Sequence, residues 1–156
     1  MSKGTFKIDK EKLEVTQERI FDAPIERLWR AYTDPEQIPK WWGPAYLKTV
    51  VDKMEVRVGG KWRFIQTEPS GKEHAFNGVY KVVDKPTRLS DTFEYEPVPG
   101  HILLETFMFE EDGRKTKLTA ISKFASIEDL EGMMAMDMQE GATESQERLA
   151  KLVEGS

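Results

Sequence analysis

The sequence contains no cysteine, and this absence excludes several kinds of site. Without thiols the chain can form neither disulfides nor thiolate metal sites, and it has no thiol nucleophile. A chain that does without disulfides is typical of a reducing compartment, so we predict a cytoplasmic protein.

Long apolar runs and basic clusters are also missing. No stretch approaches the roughly 18 apolar residues of a membrane span, and the N-terminus leads into no apolar signal core, so we predict no membrane insertion. The chain has 23 basic and 28 acidic residues, a formal net charge of −5 at pH 7. Because a phosphate backbone would be repelled overall, nucleic acid is not an expected partner.

Histidine is scarce, with only His74 and His101. Neither belongs to a His-Glu-x-x-His motif or a similar metal-binding spacing. Gly59-Gly60 is a turn signal rather than a phosphate-binding loop, and no Gly-x-Ser-x-Gly nucleophile motif occurs. We therefore predict no metal, no cofactor and no catalytic residue, and we favour a binding protein over an enzyme.

The length of 156 residues, with 38% hydrophobic and 33% charged residues, is typical of one globular domain. We place this domain at residues 13–153, after an N-terminal arm over residues 1–12 that is either loose or a short edge strand. The predicted strands cover residues 13–21, 50–58, 61–67, 73–84, 88–95, 102–110 and 115–124. Hairpin-length gaps between the last six predict sequential antiparallel pairing.

Alternation within these strands predicts which side chains face the core. Residues that share a face are Trp62 with Phe64, then Phe76, Gly78, Tyr80 and Val82, and then Leu118, Ala120, Ser122 and Phe124. The strand over 102–110 is apolar on both faces, so its sequence leaves open whether Phe107 or Met108 points inward.

Two short helices are predicted after the first strand, and one long helix at the C-terminus. Pro24 suits a first helical turn, and Asp34 with Pro35 marks the start of a second helix that Pro39 interrupts. From Ser126 helix-favouring residues continue to residue 153. The apolar stripe of this helix contains Leu130, Met133 or Met134, Met138, Gly141, Ser145, Leu149 and Leu152, and its polar face contains Glu128, Glu131, Gln139, Glu147, Arg148 and Lys151. Only this helix is long enough to cover the sheet, which predicts an α+β fold.

Several motifs occur in an order that resembles a known family. They are Phe21-Asp22-Ala23-Pro24, Trp29, Thr33-Asp34-Pro35, Trp41-Trp42-Gly43-Pro44, Gly59-Gly60, Gly78-Val79-Tyr80, Pro86 with Arg88-Leu89, Thr116-Lys117-Leu118 and Met138-Gln139-Glu140-Gly141 with Leu149. In this order they resemble the heat-shock-protein-90 ATPase activator homologue-like family of the START/SRPBCC (Bet v-like) superfamily. The resemblance implies a helix-grip fold, in which a curved antiparallel sheet wraps around a long C-terminal helix.

A helix-grip fold implies a space between helix and sheet, and small residues on the inward side of the helix bear on whether it is filled. Gly132, Gly141, Ala142 and Ser145 leave room there, either for a ligand or for close packing of helix on sheet. The predicted lining residues are Trp62, Phe64, Phe76, Tyr80, Phe93, Met134, Met138 and Gly141, with Trp41 and Trp42 at the cavity rim. Taken one at a time, such side chains are more often ordinary core than cavity lining.

Arg19 is the candidate polar anchor, since the alternation of the first strand places it on the inward face with Asp91 and Gln66 on the inward faces of others. A buried charge needs a partner, and the hypothetical partners of Arg19 are Glu105 and Asp91. Alternatively, Arg19 or Tyr80 orients a polar group of a ligand.

The sequence favours binding of a small hydrophobic or aromatic ligand, lipid-like or polyketide-like, in the predicted cavity. A cavity enzyme of the cyclase, dehydratase or hydrolase type is the first alternative. A co-chaperone-like interaction module is the second, and it requires an exposed apolar patch, for example around Trp41-Trp42 and residues 97–99. Monomer and homodimer both remain open.

Overall fold

The structure is a computed structural model that describes residues 4–135 and 138–155, and their side chains except at 138–140. The strands in this part of the chain are β1 (Thr5–Asp9), β2 (Glu14–Phe21), β3 (Lys48–Met54), β4 (Lys61–Thr67), β5 (Glu73–Asp84), β6 (Arg88–Tyr95), β7 (Leu103–Asp112) and β8 (Lys115–Lys123). The helices are α1 (Ile25–Thr33), α2 (Ile38–Trp41), α3 (Ile127–Ala135) and α4 (Met138–Glu154).

All eight strands form one antiparallel sheet in the order β1-β2-β8-β7-β6-β5-β4-β3. Strands β3 to β8 follow one another as a meander, as the hairpin-length gaps predict. Gly113 makes the tight turn between β7 and β8 with a φ of 63°, a left-handed conformation that favours glycine. Strand β2 pairs with β8, so the second strand of the chain lies beside the last one. The predicted α+β helix-grip fold with a curved sheet is confirmed.

The N-terminal segment contains the edge strand β1. It pairs with β2, and its half-buried Phe6 and Ile8 pack with Leu13 against a small apolar cluster. Of the two possibilities that the sequence left open for residues 1–12, the structure has the edge strand; the boundary between arm and domain stays a prediction.

Helix α1 buries the predicted apolar face, with Ile25, Leu28, Trp29 and Tyr32 all in the main core. The second helix begins at Ile38 and not near Asp34, where the sequence predicted its start. Asp34 instead follows α1 as its C-terminal cap, and its carboxylate accepts a hydrogen bond from the Glu36 amide at 2.9 Å. The side chain of Asp34 therefore stabilises the connecting turn rather than the start of α2.

The predicted C-terminal helix is described over α3 and α4, and residues 136–137 between them lie outside the described residues. Leu130 of α3 packs with Val15, Leu103 and Phe124 in the smaller apolar cluster. The C-terminal part of α4 enters the main core through Leu149, Ala150 and Val153. The helical region thus covers two neighbouring parts of the sheet.

A β-bulge changes the predicted alternation of β5. Tyr80 lies opposite Asp91, whereas Val82 lies opposite Ser90, so Lys81 is an extra residue in the ladder. Beyond the bulge Val83 packs against the core, the position that the sequence assigned to Val82.

Candidate functional site

A cavity of about 150 Å³ lies between α4 and the sheet. Strands β2 and β4 to β8 form its floor, and α1, α2 and α4 close over it. Its lining residues are Gln17, Tyr32, Ile38, Trp41, Trp42, Trp62, Phe64, Tyr80, Leu89, Asp91, Glu105, Phe107, Ala120, Ser122, Ala142, Ser145 and Gln146. The lining therefore combines seven aromatic residues with polar side chains from β2, β6, β7, β8 and α4.

The aromatic wall is centred on Trp42, which follows α2. Its ring packs edge to face with Phe64 at 5.1 Å between centroids and with Phe76 at 5.3 Å. Trp62, Phe64 and Tyr80 line the cavity, as do Trp41 and Trp42. Aromatic contacts of this kind fix the ring positions and present apolar faces to the space between them.

Two predicted lining residues, Phe76 and Phe93, do not border the cavity. Phe93 lies 5.4 Å from Phe76 and 6.5 Å from Trp42, between ring centroids. Both rings therefore pack against Trp42 without bordering the cavity. On β7 it is Phe107 that faces the cavity, which answers the question that the sequence left open for this strand.

Of the three residues of the C-terminal helix that were predicted to line the cavity, Met134 and Gly141 do not line it. Met134 is 38% exposed, and the side chain of Met138 lies outside the described residues. Gly141 does not line the cavity, and a Cβ built there would meet no atom within 4 Å, so close packing does not require this glycine. Helix α4 lines the cavity instead through Ala142, Ser145 and Gln146.

Arg19 is buried, as predicted, but its predicted partners are wrong. Its Nη1 donates to Glu147 Oε1 of α4 at 2.8 Å, and its guanidinium lies 5.3 Å from the centre of the Phe21 ring. Asp91 on β6 and Glu105 on β7 are separated from β2 by at least one intervening strand. Because α4 passes close to β2, Glu147 reaches Arg19 first, although the sequence assigned Glu147 to the solvent face.

Asp91 and Glu105 meet each other on the cavity floor. They are directly opposite in the β6–β7 ladder, Tyr80 is opposite Asp91 on β5, and Ser122 is opposite Glu105 on β8. Opposite residues in an antiparallel pair share a face, with Cβ atoms about 4.5–5.5 Å apart. The two carboxyl groups make a hydrogen bond with each other, in a row of polar side chains across an apolar floor.

Burial dominates the ionisation of this carboxyl pair. It raises the pKa of Glu105 from an ordinary 4.5 to about 7. Burial, followed by the charge of Glu105, raises the pKa of Asp91 well above 3.8. Burial and the same two carboxyl groups also raise the pKa of Tyr80, so its hydroxyl stays protonated. Near neutral pH the pair therefore retains at least one proton in the folded chain.

Two oxygen atoms in the cavity wall lack a donor. Asp91 is only 5% exposed, and no N–H or O–H of the described residues reaches its Oδ1, apart from a proton carried by the pair itself. Gln146 makes a hydrogen bond with the Tyr32 hydroxyl, whereas its buried Oε1 has no partner in the described part of the chain. Unpaired buried acceptors are costly, and they are commonly found where a ligand or water completes the hydrogen bonds.

Side chains of α4 hold the segment that carries the two tryptophans. Ser145 Oγ donates to the Trp41 carbonyl and accepts from the Gly43 amide, both at 3.1 Å. Arg148 donates to the carbonyl of Gly43 at 2.6 Å and to that of Lys40 at 3.1 Å. The sequence predicted that Arg148 faces solvent. Helical spacing could not show these contacts, because the carbonyls belong to a segment far away in the chain.

Other polar groups lie away from the cavity. His74 bonds Tyr95 and Glu68, and His101 bonds Asp129. Within residues 4–135 and 138–155, no group of three or more metal-binding side chains is placed to hold an ion. Trp41 is buried and Trp42 half-buried, so these two rings do not supply the exposed apolar surface that an interaction module requires, whereas Val98, in the second expected place, is 50% exposed.

Comparison with known proteins adds a family to this geometry. The family model described as activator of Hsp90 ATPase homolog 1-like protein matches residues 22–154. The chain belongs to this family. No helix in the described part of the chain is long and apolar enough to span a membrane.

Solved structures of similar proteins share the whole fold. Protein Ms6760 from Mycobacterium smegmatis is 28% identical, with a TM-score of 0.86 over 96% of this chain and 95% of the other. A protein from Arthrobacter aurescens is 26% identical, with a TM-score of 0.91 over 97% and 92%. A protein from Rhodobacter sphaeroides is 22% identical, with a TM-score of 0.90 over 99% of this chain and 99% of the other. No protein in the curated comparison matches significantly.

The Asp91–Glu105 pair is the feature that the sequence reasoning missed. Both residues were recognised as inward-facing or as partners for a charge, but not as partners of each other. The signal was present, since the two predicted strands form a hairpin whose register can place 91 opposite 105.

Proposed function

We propose that this protein binds a small hydrophobic or aromatic molecule in the cavity between α4 and the sheet. The observation that carries the proposal is the cavity itself, which combines aromatic side chains with a few polar ones, Asp91 and Glu105 among them. A site that combines apolar walls with a few convergent polar groups is the usual form of a small-molecule site. The family fold is consistent with this use.

The volume limits the ligand. A cavity of about 150 Å³ lined by apolar side chains is large enough for one benzene-sized molecule. A second opening of about 380 Å³ lies beside β1, between β2 and α4, and Gln17 and Gln146 line both spaces. A longer lipid-like or polyketide-like ligand would fit if these two side chains moved apart and joined the spaces.

Thermal melting with toluene, indole and naphthalene tests the proposal. A ligand present at 100 times its dissociation constant stabilises the folded chain by about 2.7 kcal/mol. For a chain of this size that corresponds to a rise in Tm of about 5–10 °C. If none of these compounds or longer apolar analogues raises the Tm, the cavity does not serve as a binding site.

Filling the cavity provides the matched control. Ala142→Leu adds side-chain volume at the cavity wall and should abolish the ligand-induced rise in Tm. Lys151→Leu places the same side chain on the exposed face of α4 and should leave that rise unchanged. Equal ligand responses in the two variants would place the bound molecule elsewhere.

A cavity enzyme is the second candidate, and the carboxyl pair favours it. A carboxyl group with a pKa near 7 is suited to general acid–base catalysis at neutral pH. If a bound molecule is converted, Glu105→Gln should lower kcat and remove the corresponding ionisation from the pH profile. Retention of full turnover by Glu105→Gln and Asp91→Asn would exclude this role.

A further inference from the structure

We propose that the ligand is a small arylalkylamine in its protonated form, with its ammonium group against Asp91, Glu105 and Gln146 and its ring between the aromatic walls. This inference rests on the proposed binding function and names the ligand class. Three independent features of the cavity support it: its charges, its unpaired hydrogen-bonding atoms and its aromatic surfaces.

The charges of the cavity wall are of one sign. Its titratable groups are Tyr32 on α1, Tyr80 on β5, Asp91 on β6 and Glu105 on β7, and no Lys, Arg or His lines it. The nearby Arg19 is already paired with Glu147 and borders the neighbouring opening. An ionised carboxylate in the cavity would thus lack a counter-charge, which a cationic ligand would supply and an anionic ligand would oppose.

Among the described residues, three buried polar atoms of the cavity lining lack a hydrogen-bond partner: two are acceptors, and the third is the donor Nε1 of Trp62. The acceptors are Asp91 Oδ1 and Gln146 Oε1; both are buried, and apart from a proton carried by the Asp91–Glu105 pair itself, neither receives a hydrogen bond from another described residue. An ammonium group has three N–H donors and no acceptor, so it matches two such oxygens and a carboxylate oxygen of Glu105. A ligand that offers only acceptors would leave both oxygens unpaired.

The aromatic surfaces fit the remainder of the ligand. Trp42 and Phe64 contact each other edge to face, and Trp62 lies 4.7 Å from Phe64 between ring centroids. Rings of this kind bind another ring by stacking, and their faces attract a cation within about 6 Å. The cavity volume suits a substituted benzene, and benzylamine is the smallest such amine.

Four monosubstituted benzenes of similar size separate the possibilities: benzylamine as the cation, benzyl alcohol as a neutral donor, toluene as the apolar reference and benzoate as the anion. Binding to the full chain is measured by calorimetry at pH 7.5. We expect benzylamine to bind at least 10-fold more tightly than toluene or benzyl alcohol, and benzoate to bind most weakly.

Variants test the polar contacts. Glu105→Gln and Asp91→Asn keep the shape of the wall, and each should weaken benzylamine binding at least 10-fold while changing toluene binding less than 3-fold. Glu110→Gln on the exposed face of β7 is the matched control and should change neither. A further readout is proton release: an amine that ionises the pair should release protons on binding, measured in buffers of different ionisation enthalpy.

Each outcome decides between the two proposals. If toluene binds but benzylamine binds no more tightly, or the variants weaken both equally, the amine inference is wrong and the apolar cavity still functions. If benzoate binds most tightly, the charge argument is wrong. If no aromatic probe binds, the proposed function fails with it.

Discussion

Replacing Glu105 by glutamine preserves the size of the side chain and its capacity to bond Asp91, but removes its charge. Burial raises the pKa of Glu105 from 4.5 to about 7, so the folded chain holds this proton over a range in which the unfolded chain releases it. The resulting stabilisation is full below pH 4.5 and is lost as the pH rises to 7.

The size of the effect follows from the shift. Each pKa unit corresponds to about 1.4 kcal/mol, so a rise of about 2.5 units costs the wild-type chain about 3 kcal/mol at pH 8 relative to pH 4. Glutamine cannot ionise and does not incur this loss. The quantity to compare is the Tm of Glu105→Gln minus the Tm of wild type. This difference should be about 6–12 °C higher at pH 8 than at pH 4.

Urea denaturation of wild type and variant at pH 4 and pH 8 provides the assay. The informative quantity is the difference in free energy of unfolding between variant and wild type, because the other carboxylates contribute equally to both chains. One of them is Glu96, whose pKa is lowered by its hydrogen bond from Arg63. Glu110→Gln, at an exposed position on the same strand, should show no such pH-dependent difference. If the difference in free energy of unfolding between Glu105→Gln and wild type is also independent of pH, then Glu105 has the same pKa in the folded and the unfolded chain. That result would refute the reasoning.

Two glycines should respond oppositely to alanine in thermal melts. Gly141→Ala should stabilise the chain by about 0.5–1 kcal/mol, because its Cβ meets no atom within 4 Å. Gly78→Ala should lower the free energy of unfolding by more than about 4 kcal/mol, because its Cβ would lie 1.8 Å from the Thr92 carbonyl oxygen. Melting temperatures equal to that of wild type in the two variants would contradict both expectations. Arg148→Met should lower the free energy of unfolding by about 2–3 kcal/mol through loss of its charged hydrogen bonds to backbone carbonyls, and an unchanged urea midpoint would contradict this.

The elements of the fold could be predicted because their signals are local. Strands β4, β5 and β6 have the predicted bounds, and the apolar spacing of α1 matches its buried face. The start of α2 was misplaced because a cap signal at Asp34 is equally suited to the end of α1 and the turn that follows. The bulge at Lys81 was missed because it depends on the partner strand.

The candidate site was predicted only in part. Trp62, Phe64 and Tyr80 reach the cavity because alternation fixes their face of the sheet. Phe76 and Phe93 have the same parity but lie behind Trp42, since depth along a curved sheet is set by neighbouring side chains and not by alternation.

By itself, the sequence determined the composition of each face, because side-chain periodicity of 2 or 3.6 residues is a property of the local backbone. Only the tertiary structure decided which polar groups meet. Strand order separates Arg19 from Asp91 and Glu105, strand register joins those two carboxyl groups, and the path of α4 pairs Arg19 with Glu147. These contacts join residues far apart in the chain, and their partners are fixed by packing rather than by spacing.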